Sequence, residues 1–135
     1  MLKKPITYSG FDGEEYTEDF YFNMTKSELT ELHLSTEGGL DQMLTKIINA
    51  KDVPGLSKFF KKIIAMSYGE KSADGKRFMK TDDAGRPLFD RFQQTNAYDN
   101  LFMELLTDDK AAADFINKIM PIELVKQVQK MEKDA

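Results

Sequence analysis

Residues 19–29 read DFYFNMTKSEL, and two different periods meet in that stretch. In its first half Phe20 and Phe22 alternate with Tyr21 and Asn23, the repeat of two that a half-buried strand requires. In its second half Thr25 and Glu28 form the T-x-x-E capping box, where each side chain satisfies an orphan amide of the other residue. Met24 and Leu29 stand at the spacing of a hydrophobic staple, which fixes the angle at which chain meets helix. A strand running straight into a capped helix sets a sheet against a helical body. The expected fold is therefore mostly α (α+β): an N-terminal β-hairpin followed by a bundle of about five to six short helices.

Working outward toward the N-terminus, residues 4–9 and 14–22 are predicted to pair as a hairpin spanning 4–22. Asp12-Gly13 is the turn signal, since glycine takes positive φ at little cost. Tyr16, Phe20 and Phe22 then share one face, while Asp19 and Tyr21 share the other. Toward the C-terminus, the capped helix is predicted to run from Thr25 to about Thr36, where Gly38-Gly39 breaks it.

One apolar spacing of i, i+3, i+4, i+7, i+8 then recurs. It is carried by Leu40, Met43, Leu44, Ile47 and Ile48, and by Leu56, Phe59, Phe60, Ile63 and Ile64. Further on it is carried by Tyr98, Leu101, Phe102, Leu105 and Leu106, and by Ala112, Phe115, Ile116, Ile119 and Met120. Each set makes one helical stripe, and Met43 and Met120 on those stripes read as core. The breaks agree with the stripes: Val53-Pro54 separates two helices, Gly69 is a candidate left-handed cap, and Asp108 or Asp109 is a candidate N-cap. Pro121 is suited to open a last helix reaching about Met131. Residues 70–87, EKSADGKRFMKTDDAGRP, form an irregular flap with turn signals at Asp74-Gly75 and Ala84-Gly85. Arg77, Phe78 and Met79 between those turns suit a short strand or an exposed flap. A short helix is predicted from about Leu88 to Gln93. The whole chain, 1–135, reads as a single domain with a helical body over 25–131.

Composition narrows the function classes. The sequence has 135 residues, a net charge of −4 and no cysteine. Without cysteine there are no disulfides, thiolate nucleophiles or cysteine-based zinc sites. No apolar run approaches the ~20 residues of a membrane span, and MLKKPITYSG offers no apolar core for a secretory signal. Nucleic-acid binding needs clustered basic side chains on one face. The densest group here, Lys58, Lys61 and Lys62, reads as a solvated helix surface. Neither nucleic acid nor membrane is expected as a partner.

Catalytic constellations are equally sparse. His33, the single histidine, lies in ELHLS and reads as a surface residue with no nucleophile or ligand spacing around it. Glu14-Glu15, Glu18-Asp19, Asp82-Asp83 and Asp108-Asp109 lie at turns and element ends, where carboxylates cap helices or face water. Asp82, Asp83 and Gly85 lack the alternating acids and the closing Glu of a calcium loop. No phosphate-cradling glycine motif is present. No enzyme and no cofactor are expected.

What remains is apolar surface. The chain has eight Met and ten Phe, and Met is flexible enough to fit several partners. Met66, Met79, Met103 and Met131 fall off the main stripes or in loops and are candidate contact residues. Phe20 and Phe22 are candidates too, either anchoring the hairpin on the helices or forming an assembly edge. In PIELVKQVQKMEKDA, Ile122, Leu124, Val125 and Val128 make a short stripe. A helix that short is marginal alone and must dock on its own domain, a sister chain or a client.

GFDGEEYTEDFYFNMTKSEL, STEGGL, YGEKSADGKRF, AYDNLFMELLTD and AAADFINKIMP together carry a family resemblance. From about Tyr8 to Pro121 the chain resembles the tail assembly chaperones of long-tailed, siphovirus-type bacteriophages and prophages of Gram-positive bacteria. The resemblance implies a small acidic helical protein of the host cytoplasm, made in two forms by a programmed frameshift. It implies a homo-oligomer that binds the tape measure protein, keeps its apolar helices soluble and recruits tail tube proteins. These motifs are structural, so no residue-level site is carried over. Two alternatives stand beside this reading: a structural virion component of the tail or head–tail connector, and a small enzyme or ligand-binding domain.

Overall fold

In a computed structural model, which describes residues 1–120, the period of two extends over two strands, β1 (Leu2–Ser9) and β2 (Glu15–Phe22). They pair antiparallel from Leu2 opposite Phe22 to Ser9 opposite Glu15. Gly13, at φ +85°, sits in the connecting loop. On the inner face an aromatic ladder runs toward the helices: Tyr8 stacks on Tyr16 at 5.8 Å, Tyr8 meets Phe20 at 6.1 Å, and Phe22 meets Phe115 edge-on at 5.3 Å.

The two rims of this hairpin are treated differently. Along the outer rim of β1, Asn100 and Asn96 donate their side-chain amides to the carbonyls of Thr7 and Ser9. Alternate residues of a strand turn their backbone groups the same way, so the N–H that Pro5 lacks falls on that same rim. Among the described residues, the outer rim of β2 meets another strand only at Tyr21 and Phe22. The rest of it carries the exposed acids Glu15, Glu18 and Asp19.

The chain passes from β2 into α1 (Lys26–Ser35) as the capping box requires: Glu28 N–H donates to Thr25 Oγ1 at 3.1 Å, and Thr25 N–H to Glu28 Oε1 at 2.9 Å. Met24 and Leu29, the staple pair, are both buried. Gly38 and Gly39, at φ +77° and +84°, turn the chain into α2 (Gly39–Asn49). His33 departs from the sequence reading. It is buried rather than on the surface, and its Nδ1 accepts the Leu40 N–H at 3.2 Å. Gly38, the N-cap of α2, has no side chain to offer, so His33 supplies that acceptor from the preceding helix.

Next come α3 (Val53–Ser67) and the strands β3 (Tyr68–Lys71) and β4 (Phe78–Met79), which complete a four-stranded sheet in the order β1-β2-β3-β4. Gly69 is the second departure. It lies within β3 and is not a left-handed cap; α3 is closed by Tyr68 in an extended conformation. A Cβ on Gly69 would stand 2.6 Å from the Met79 carbonyl oxygen and 2.6 Å from the Phe78 ring, so the close strand approach requires glycine.

The flap is two successive tight turns. In one, Ser72 Oγ donates to Asp74 while Ser72 N–H bonds the Arg77 carbonyl; in the other, Asp82 Oδ1 accepts from the amides of Ala84 and Arg86. Lys80 ties the flap to the body. Its ammonium donates to the Asn23 carbonyl at 2.7 Å, to the Met66 carbonyl at 2.6 Å and to both Glu28 carboxylate oxygens at 2.8 Å.

A single turn, α4 (Phe89–Phe92), follows and carries Phe92 into the core. There Phe92 stacks on Tyr68 at 4.3 Å and touches Phe20, Phe22 and Tyr98. The last described helices are α5 (Asn96–Thr107), capped by Thr95, and α6 (Asp109–Ile119), capped by Asp108. The hairpin followed by helices is the expected fold class. The helix predicted from Pro121 to Met131 lies outside the described residues.

Candidate functional site

α2, α3, α5 and α6 leave a groove between them of about 660 Å³. From α2 it receives Leu40, Leu44 and Ile48, which are four residues apart and so lie along one ridge. From α3 come Val53, Leu56 and Phe60; from α5, Leu105 and Leu106; from α6, Ala112, Ala113, Ile116 and Met120. Among the described residues, polar groups enter only at Asp41, Lys51, Asp109 and Asn117. The volume falls in the range of about 300–1,000 Å³ usual for binding sites. The described lining is mainly aliphatic, with no convergent set of acids, bases or nucleophiles among the described residues.

The helices that make the walls are amphipathic by sequence, yet α2 is only partly covered. Leu40 is buried, Met43, Leu44 and Ile47 are half-buried, and Ile48 is 59% exposed. Across the α2–α3 connection Val53 is 57% exposed. That connection is a Schellman turn: Asp52 N–H bonds the Ile47 carbonyl and Lys51 N–H the Ile48 carbonyl. Lys51 takes the left-handed position at φ 53°, where glycine is usual. Asp52 then caps α3 by accepting the Gly55 N–H at 3.0 Å. Ile48 and Val53, both exposed and both in the groove lining, therefore stand on either side of this one tight connection.

The contact candidates read from the sequence fall in different places. Phe22 is fully buried, and Phe20, Met66 and Met79 are partly buried against the core. Met103 is 46% exposed on α5. Ile122, Leu124, Val125, Val128 and Met131 lie outside the described residues. The position of the groove escapes the sequence reading, which sets Leu44, Ile48 and Ile116 on apolar helical stripes. Periodicity tells which face of a helix is apolar; it does not tell whether anything covers that face.

Perturbed titrating groups stand apart from the groove. Burial pushes the Tyr68 phenol up to about 12. Glu28 is raised by burial but lowered more by Lys80 and the Thr25 amide, which leave it below its ordinary value. Among the described residues no group of three or more His, Asp or Glu side chains could hold a metal ion, and no helix is long and apolar enough to cross a membrane.

Compared with known proteins, the chain matches a family model described as phage tail assembly chaperone, over residues 1–135. No curated protein and no solved structure shows a significant match.

Proposed function

Because this chain belongs to the phage tail assembly chaperone family, we propose that it acts by holding, without catalysis, apolar helical surface of another tail protein in the groove between α2, α3, α5 and α6. In the host cytoplasm the client is the tape measure protein, whose long apolar helices need cover before the tail closes around them. Several copies of the chaperone coat it and help recruit tail tube subunits. Recognition is of the helix-in-groove kind, with apolar anchors at i, i+4 and i+8 of the client lying along the Leu40, Leu44 and Ile48 ridge. Met103, exposed on α5, extends the contact surface outside the groove.

The observation that carries this reading is the 660 Å³ aliphatic groove with Ile48 and Val53 exposed at its mouth. Contiguous exposed apolar surface of this kind marks interaction sites. The test is co-expression with the tape measure protein of the same genome. Wild type should raise the soluble yield of that protein and co-purify with it. The double variant Ile48→Asp/Val53→Asp should lose at least about tenfold in co-purified client, since charge placed in an apolar contact costs more than 1.4 kcal/mol. Equal capture by the double variant would remove the groove from the mechanism.

A further inference from the structure

The hairpin tip carries a large apolar side chain that its own fold leaves unused. The ten phenylalanines all lie within the described residues, and Phe11 alone is on the surface, 84% exposed. The loop beneath it is closed. Gly10 N–H bonds the Glu14 carbonyl at 2.8 Å, Gly13 N–H the Gly10 carbonyl at 3.1 Å, and Glu14 N–H the Asp12 carboxylate at 3.0 Å. Asn96 pins the base of the loop through the Ser9 carbonyl at 2.7 Å. A loop already fixed in this way has little conformational freedom to lose on binding. The residues that follow the ring are acids: Asp12, Glu14 and Glu15, all exposed.

A socket of matching size and opposite charge lies elsewhere on the chain. Between α1, α2 and α3 a pocket of about 160 Å³ is lined by Leu32, Met43, Ile47 and Phe59, with Lys58 and Lys62 on its α3 side. An apolar cavity of about 150 Å³ is large enough to bind benzene. Lys58 and Lys62 are four residues apart and stand on one face of α3. Both are exposed, and neither forms an ion pair among the described residues. The described lining includes no acid and shares no residue with the groove.

We propose that Phe11 of one copy seats in this pocket of a second copy, with Asp12, Glu14 and Glu15 against Lys58 and Lys62. The ring is the buried anchor, and the charges around it set its orientation and exclude wrong partners. Tip and socket are different surfaces, so the contact is head-to-tail. It uses none of the groove residues and stands or falls independently of the client reading.

Sedimentation of the purified full chain, with no client present, tests it. Wild type should self-associate as its concentration rises. Phe11→Ser should weaken that association at least about tenfold, since truncating a buried aromatic anchor is among the largest losses an interface can suffer. Lys58→Glu/Lys62→Glu, which turns the rim against the acidic tip, should do the same. Phe11→Ser keeps its socket and the double lysine variant keeps its tip. Mixing the two in equal amounts should therefore restore a complex of one copy of each. Monomeric wild type, wild-type association by Phe11→Ser, or a mixture that stays monomeric would each overturn the proposal. Both variants change only exposed side chains, so circular dichroism and melting should match wild type.

Discussion

Lys80 joins three parts of the body with one ammonium group. It reaches the end of β2 through the Asn23 carbonyl, the start of α1 through Glu28, and the end of α3 through the Met66 carbonyl. Charge-assisted bonds of this kind contribute more than neutral ones. Lys80→Met keeps the aliphatic length, removes the donor from the Asn23 and Met66 carbonyls, and leaves the Glu28 carboxylate with the Thr25 amide alone among these donors. It should lower stability by about 2 kcal/mol, read as a Tm drop of roughly 5–8 °C. Glu28 gives the partner a pH signature. Its folded value lies below the ordinary 4.5, so its ionised form stabilises the fold. That contribution is complete above the ordinary value and is lost as pH falls through the lowered one. Asp74 and Asp82 shift in the same direction, Asp74 through the Ser72 hydroxyl and Asp82 through the Arg86 amide. Urea unfolding from about pH 5 down to about pH 3 should show wild type losing stability, and Glu28→Gln losing measurably less across that window.

At the scale of elements, what could be read beforehand is what rests on local chemistry. Thr25 with Glu28, Met24 with Leu29, Asp12-Gly13 and Asp108 each act within a few residues, and each is found in its expected role. What escaped depends on partners distant in sequence. β3 is four residues long and carries too short a pattern to declare itself, whereas β4 falls on Phe78–Met79, where a short strand is one of the two sequence readings. Gly69 looks like a helix stop because the residue that demands a glycine there, Met79, lies ten positions away and meets it only after folding. The same distance hides His33, whose use is set by the bare backbone at the start of α2. Gly69→Ala tests the strand assignment. A left-handed cap would lose about 1 kcal/mol, whereas a Cβ pressed against the Met79 carbonyl should cost about 2–4 kcal/mol. Hydrogen exchange would report it as lost protection at Glu70 and Met79, while α5 keeps its own.

For the whole molecule, stability and the proposed client site are separable. Leu101, Ile63 and Phe22 form the sealed centre, while Ile48 and Val53 lie at an open mouth. The double variant Ile48→Asp/Val53→Asp should therefore unfold within about 1 kcal/mol of wild type, whereas Leu101→Asp should cost more than about 4 kcal/mol. A double variant as unstable as Leu101→Asp would mean that the mouth belongs to the core. The groove was not legible from the stripes alone, because a stripe covered by neighbours and one left open have the same spacing. The treatment of the sheet margins has its own consequence. One side is closed by Pro5 and by the amides of Asn96 and Asn100, and the other bears Glu15, Glu18 and Asp19, so two chains meeting there would set carboxylate against carboxylate. Both margins therefore oppose the addition of a strand from a second copy, the step by which open sheet edges seed amyloid-like growth.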